Sequence, residues 1–261
     1  MNDDVAMGIA IDLSGEDLEI VDRHWAEWLY LLGNQPARHW PFPHILLAEA
    51  MPQPVYDILR NRLMPDSAYI KLEDLGRVSK GHYPQRSMLP AQNCDAFWMG
   101  VLHRVTSREF AKALMRPYTG RLRNGEWQVE AFLMRDKAGF SMGPHTDMPQ
   151  RLLSALFYLP QERWINDMSS RPYVDCRTID WGTSLYVPKE RGRTSHGHEH
   201  CNREHFDRIA SVPFLPNHGL TFVRTDNSFH GVDPVDCDAD SVRDLLLVNI
   251  REVPKDVQPT D

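Results

Sequence analysis

Basic charge is in deficit in this chain. Lys and Arg total 29 against 36 Asp and Glu, a net charge of −7, so no basic face for nucleic acid or an anionic membrane is expected. Long apolar runs are missing too, and nothing approaches the ~20 uncharged residues that span a bilayer. The N-terminus, MNDDVAMGIAIDLSGED, is acidic and has no positive segment leading into an apolar core, so it does not read as a secretory signal. Cysteine is scarce. Cys94, Cys176, Cys201 and Cys237 are far apart and form no Cys-x-x-Cys pair, which argues for reduced thiols and against a disulfide framework or zinc knuckle. Repeats and low-complexity tracts are absent except for TSHGHEHCNREH at 194–205. The expectation is a cytoplasmic protein with no membrane-spanning segment and no nucleic-acid partner.

What is present divides the chain in two. From Ser14, the apolar residues Leu18, Val21, Trp25, Trp28, Leu29 and Leu32 recur at three- and four-residue steps, which predicts a helix. Ser14 with Asp17 forms a capping box and Gly33 a stop. A second helix is expected through Val55, Ile58, Leu59 and Leu63, just after Pro54, and a third from Asp95 to Met115. The ILL of HWPFPHILLAEAMPQP (39–54) reads as a short strand.

After about residue 125 the texture changes. Short apolar runs (WQVEAFLM, LLSALFYLP, TSLYVP, ASVPFL, LTFVRT, RDLLLVNI) alternate with Gly, Pro, Asn and Asp, as in an all-β sandwich or barrel. LLSALFYL and RDLLLVNI are apolar at nearly every position, as strands covered on both faces would be. The fold class expected is mainly β with flanking helices. One domain results: a largely helical part at 1–124, a β core at 125–252 that carries the chemistry, and a tail at 253–261.

Within that core, GPHTDMPQ (143–150) places His145 and Asp147 two positions apart. On a helix these side chains would diverge, whereas a strand sets them on one face ~6.8 Å apart at the backbone. Gly143 and Pro144 argue against a helix, and a strong strand follows at once. The motif alone decides nothing, because His205-Phe206-Asp207 repeats it. That second copy lies in a charged loop with no long apolar strand directly after it, and it is the weaker candidate. A third ligand is expected from His230, in GLTFVRTDNSFHGVDPV, which follows one strand and precedes the last. Two histidines and a carboxylate with open positions suit a non-haem Fe(II) oxygenase. Arg243 opens the last strand, and Leu245 and Leu247 share its face, so it should turn inward. A buried arginine there could grip a carboxylate, such as the distal end of 2-oxoglutarate, by two parallel hydrogen bonds.

The order of a strand, His-x-Asp, an apolar strand ending Tyr-Leu-Pro, Gly-Thr-Ser-Leu-Tyr-Val-Pro, a strand, His, and an Arg on the last strand resembles the 2-oxoglutarate/Fe(II) dioxygenases. The prolyl-4-hydroxylase-like branch is the nearest in pattern, and PFPH at 41–44 is similar to the entry of its bacterial members. The likeness runs from roughly residue 41 to 252 and is clearest from 129 onward. It implies a double-stranded β-helix (jelly-roll, cupin-like) core buttressed by helices. It also implies iron ligands at His145, Asp147 and His230, with Arg243 and Tyr158 on the distal carboxylate of 2-oxoglutarate. Arg135 falls where a residue often lines the pocket in that family. Nucleic-acid demethylases of the superfamily carry a second arginine further along the last strand, where this chain has Asn249.

The resemblance further implies Fe(II) with 2-oxoglutarate and O2 as co-substrates, ascorbate as a stimulant, and hydroxylation of a C–H bond with release of succinate and CO2. The substrate expected is a small polar metabolite or a saccharide-type molecule. Two readings compete with it: a prolyl-type hydroxylase acting on a protein side chain, and a cupin-like zinc-binding protein without oxygenase activity. Zinc sites also use two histidines and a carboxylate, but they have no need of Arg243 with Tyr158. Arg151 and the histidines of 194–205 read more readily as solvated loop residues than as site residues.

Overall fold

The computed structural model describes residues 15–120, 122, 125–160, 181–197 and 201–253. Five helices occupy the first part: α1 (Glu16–Arg23), α2 (Trp25–Gly33), α3 (Gln53–Asn61), α4 (Ala96–Val105) and α5 (Arg108–Met115). The first expected helix is broken at His24, which serves both as the C-cap of α1 and the N-cap of α2. Ser14, its expected cap, lies outside the described residues. The third expected helix is also two. Asp95 caps α4 by accepting from the Trp98 amide, and Ser107 caps α5 by accepting from the Phe110 amide. Between them the Thr106 hydroxyl bonds back to the Leu102 carbonyl, so the polar pair Thr-Ser ends one helix and starts the next.

The strands are β1 (His44–Leu47), β2 (Ile70–Lys71), β3 (Arg86–Met88), β4 (Trp127–Lys137), β5 (Met142–His145), β6 (Arg151–Tyr158), β7 (Thr183–Pro188), β8 (Phe206–Val212), β9 (Gly219–Val223), β10 (His230–Val232) and β11 (Val242–Glu252). They form a seven-stranded sheet in the order β1-β9-β6-β11-β4-β3-β2 and a four-stranded sheet in the order β5-β10-β7-β8. The pairings described are antiparallel. The eight strands β4 to β11 divide four and four between the two sheets, the arrangement of a double-stranded β-helix. The N-terminal part does more than pack outside it. It extends the larger sheet at both edges, with β1 on β9 and the β2–β3 hairpin on β4.

Period-two alternation sorts the larger sheet into two faces. Leu153, Ala155 and Phe157 of β6 and Leu246, Val248 and Ile250 of β11 join one core with Trp28, Val55, Val101, Phe110 and Leu114 of the helices. Tyr158, Leu220, Phe222, Met134 and Leu245 face the smaller sheet and pack with Leu185, Val212 and Val232. Both β6 and β11 are therefore covered on both sides, as their unbroken apolar runs require.

Candidate metal centre

His145 ends β5 and His230 begins β10, and the two residues stand directly opposite in the smaller sheet. Their ring centroids are 4.4 Å apart. Gly231, next to His230, makes this approach feasible, since a Cβ there would lie 2.5 Å from the Met142 carbonyl oxygen. Asp147 follows beyond the end of β5. One ligand atom from each of His145, Asp147 and His230 lies within 4.8 Å of the others, and this is the one such His/Cys/Asp/Glu group among the described residues.

Hydrogen bonding decides which histidine nitrogens are available. Nδ1 of His145 lies 2.9 Å from the Gly143 carbonyl oxygen, and Nδ1 of His230 lies 3.0 Å from that of Ser228. A carbonyl only accepts, so each Nδ1 carries the proton and each Nε2 keeps its lone pair. Burial pushes the His230 pKa below its ordinary value, more than the Asp147 charge restores it, which favours the neutral, ligating ring.

Asp147 is oriented by two donors from β6. Arg151 Nη1 donates to Oδ1 at 2.8 Å and Ser154 Oγ to Oδ2 at 2.7 Å. Burial alone would raise this carboxyl. Arg151, both histidines and Ser154 outweigh it and hold the group well below the usual carboxylate range, so it is an anion.

The backbone around the ligands is also tied down. Arg224 Nε donates to the Asp147 carbonyl at 3.1 Å, and both Arg224 and Thr146 donate to the Ser195 carbonyl. Gly197 (φ +95°) comes so close to this segment that a Cβ would sit 2.9 Å from the Asp147 carbonyl oxygen. The first residues of the 194–205 stretch thus brace the ligand loop. Its His196 is exposed, 3.7 Å from Asp226, and His198 and His200 lie outside the described residues. The competing pair, His205 and Asp207, is exposed on both members.

His145, Asp147 and His230 open onto a cavity of about 290 Å3 between the two sheets, lined also by Arg86, Arg151, Ser154, Thr183, Arg243 and Asn249. Arg243 is fully buried, as the inward face shared with Leu245 and Leu247 predicted. Its Nη1 donates to Asp136 at 2.7 Å and its Nη2 reaches Thr183 at 3.4 Å. Its Nε has no hydrogen-bond partner among the described residues. Thr183 lies two positions along β7 from Leu185, the residue opposite His230, so ~7 Å of strand separates the arginine's contact from the metal side. Asn249, paired with Ser154 across the sheet, likewise has an unpartnered buried Oδ1.

Tyr158 is buried but does not line this cavity. Its hydroxyl donates to Thr183 Oγ1 at 2.7 Å, and the Arg243 guanidinium stacks 5.2 Å over its ring. It stands behind Thr183 and Arg243 and supports both.

Arg135 faces the opposite side of the sheet, because it alternates with Asp136 along β4. It makes a two-pronged pair with Asp244 (2.7 and 3.1 Å) and lies over the Tyr69 ring. It borders a separate cavity of about 660 Å3, with Arg60, Asp66 and Lys137. Its role is structural. Arg135→Met removes a two-pronged ion pair from a fully buried Asp244 and should cost up to about 3–5 kcal/mol of stability, while metal binding by the folded fraction stays unchanged. Chemical denaturation and ligand titration of the same variant measure both quantities.

Arg151 departs from the solvated-loop expectation, since it grips Asp147 and lines the cavity. Ser154, Arg86, Asp136 and Thr183 were not among the residues read from the sequence. Ser154 carried one signal, as the polar position within an otherwise apolar, doubly covered strand.

No family model and no curated protein matches the sequence. Solved structures do resemble the fold. The non-haem α-ketoglutarate-dependent epimerase SnoN of nogalamycin biosynthesis aligns over 87% of this chain and 83% of its own, at 12% identity and a TM-score of 0.50. A prolyl-4-hydroxylase from Pseudomonas putida aligns over 87% and 98% at 14% identity, with a TM-score of 0.46. HygX from Streptomyces hygroscopicus, solved with nickel, 2-oxoglutarate and hygromycin B, aligns over 87% of each chain at 11% identity and a TM-score of 0.45. At these identities the likeness speaks to the fold, and the SnoN alignment carries it: a double-stranded β-helix core flanked by helices. No helix among the described residues is long and apolar enough to cross a membrane.

Proposed function

We propose that this protein is a non-haem Fe(II)- and 2-oxoglutarate-dependent oxygenase, with His145, Asp147 and His230 as the metal ligands. The observation that carries the reading is the pair of opposed histidines. Each has Nδ1 committed to a backbone carbonyl, which leaves Nε2 as the unprotonated nitrogen, beside a carboxylate held ionised. Two nitrogens and one oxygen leave coordination positions open, the pattern suited to iron that must also take a co-substrate and O2. Bound there with 2-oxoglutarate, the iron would supply O2 activation and C–H oxidation, releasing succinate and CO2.

The chain's own residues supply placement. Arg243 offers a fully buried guanidinium with an unpartnered Nε, fitting the distal carboxylate of 2-oxoglutarate. Thr183 and Tyr158 fix its plane. Arg151 and Ser154 aim Asp147, and the apolar walls Leu156, Leu247, Phe222 and Val232 keep water from the reacting region. A cavity of about 290 Å3 that also takes 2-oxoglutarate suits a small substrate moiety. A small polar metabolite or saccharide-type molecule is the substrate class proposed, ahead of a protein side chain.

The test is an anaerobic titration of the metal-free protein with Fe(II) and then 2-oxoglutarate, watching for the weak visible charge-transfer band of the chelate. The band should form in the wild type and be lost in His230→Ala. Iron binding without a band would replace this reading with a metal protein that does not use 2-oxoglutarate.

A further inference from the structure

Arg243 is not alone at the far end of the cavity. Asp136 of β4 is its direct cross-strand partner, and Asp136 in turn stands opposite Arg86 of β3. The three side chains form one rung, Arg86–Asp136–Arg243, across three adjacent strands. Arg86 Nε lies 2.9 Å from Asp136 Oδ1, and Arg243 Nη1 lies 2.7 Å from Asp136 Oδ2. Asp136 and Arg243 have no exposed side-chain surface, and Arg86 has 12%. Arg86 also sits 4.7 Å over the Phe140 ring.

The charges do not balance. Two guanidiniums share one carboxylate, so the rung keeps a net charge of about +1 in a buried setting, and uncompensated buried charge is costly. Burial works against the Arg86 cation, Asp136 sustains it, and the neighbouring Arg243 opposes it again. Donor capacity is unspent as well: Nε of Arg243 is buried without a hydrogen-bond partner among the described residues, and Arg86 Nε meets Asp136 at ion-pair distance but without hydrogen-bond alignment. Both arginines line the cavity that holds the metal ligands. A rung with one cation in excess and an incompletely used set of N–H donors is built to receive one more anion.

We infer that Arg86, contributed by the N-terminal segment outside the double-stranded β-helix, is a second anchor for the distal carboxylate of the co-substrate, held beside Arg243 by their shared Asp136. The inference rests on the reading of the cavity as a 2-oxoglutarate site and adds a residue to it. Asp136 sets the spacing of the two guanidiniums, and the incoming carboxylate completes an alternating Arg–Asp–Arg–carboxylate arrangement. Arg86 is a binding residue with no part in the chemical step.

The experiment compares two ligands of equal chain length that differ only at the far end: 2-oxoglutarate and 2-oxopentanoate, which lacks the distal carboxylate. Binding to Mn(II)-loaded protein is measured by calorimetry, so no turnover is needed. Arg86→Met should weaken 2-oxoglutarate binding about tenfold or more and leave 2-oxopentanoate unchanged. Arg86→Lys keeps the charge without the fork and should fall between, which also serves if Arg86→Met folds poorly. Arg77→Gln, an exposed arginine on the same cavity wall stacked over Phe132, should leave 2-oxopentanoate binding and the preference for 2-oxoglutarate as they are. Equal weakening of both ligands by the Arg86 variants would assign Arg86 a purely structural role, and no weakening would remove it from the site; either overturns the inference. If the wild type itself does not prefer 2-oxoglutarate over 2-oxopentanoate, the carboxylate-anchor reading of the whole cavity fails instead.

Discussion

Fe(II) binding is expected to be lost in His230→Ala, His145→Ala and Asp147→Ala alike, together with 2-oxoglutarate turnover. The partners that merely orient a ligand are worth about 10–100-fold in metal affinity, and removing a ligand should exceed that. The three variants should differ in stability. Each histidine replacement deletes one ring and one hydrogen bond to a carbonyl, a loss of about 1–3 kcal/mol. Asp147→Ala is harsher, since it removes the carboxylate to which both Arg151 and Ser154 donate in a largely buried setting, so Asp147→Asn is the better probe of that position. Circular dichroism and denaturation would establish the folded state, and metal analysis after dialysis would report binding. His205→Ala changes an exposed side chain away from the centre and should retain wild-type iron. Retention of iron by the His145 and His230 variants, or its equal loss in His205→Ala, would mean that the centre lies elsewhere.

The grouping of His145, Asp147 and His230 was readable in the sequence because the signals of its first two members are local. His145 and Asp147 share a strand face by period two, and the apolar strand that follows places them at a sheet end. Choosing His145-x-Asp147 over His205-x-Asp207 needed only the neighbouring pattern, and the exposure of the second pair agrees. The inward turn of Arg243 was legible for the same reason, through Leu245 and Leu247. Arg135 shows the limit of that approach. It occupies the expected stretch of chain, yet the pleat sends it to the helical side and turns Asp136 to the face shared with Arg243 instead. A position carried over from a resemblance is reliable only when the parity of the strand is fixed, and one residue of slip reverses the face.

Other features were beyond reach because they arise from pairings across the chain. Nothing near Arg86 marks it as a cavity residue. It becomes one when the β2–β3 hairpin of the N-terminal part docks on the edge of β4. Thr183 reads as an unremarkable strand start until Tyr158 and Arg243 both meet its hydroxyl. The helices of the N-terminal segment pack on one face of the larger sheet. The segment's strand at His44–Leu47 was legible in the ILL of 39–54, but the two- and three-residue strands Ile70–Lys71 and Arg86–Met88 carry no period of their own and could not be foreseen.

The second large effect expected is that of Arg243→Met on both co-substrate binding and the fold. The guanidinium supplies charge-assisted hydrogen bonds in a setting with no exposed surface, each worth about 1.5–3 kcal/mol. Losing it should raise the 2-oxoglutarate concentration needed for half-saturation by about 10–100-fold. The methionine fills similar volume and packs on Tyr158 and Phe214, whose rings the arginine now covers at 5.2 and 5.9 Å. Breaking a buried ion pair usually costs about 3–5 kcal/mol, because the remaining charge is stranded. Here Asp136 keeps Arg86 at 2.9 Å, and the variant rung is a neutral one-to-one pair. The stability loss should therefore fall below that range, even as the binding loss is large. Denaturation curves and 2-oxoglutarate titrations on one preparation separate the two. Lost stability with unchanged 2-oxoglutarate affinity would make Arg243 a core ion-pair residue and leave the co-substrate without its anchor.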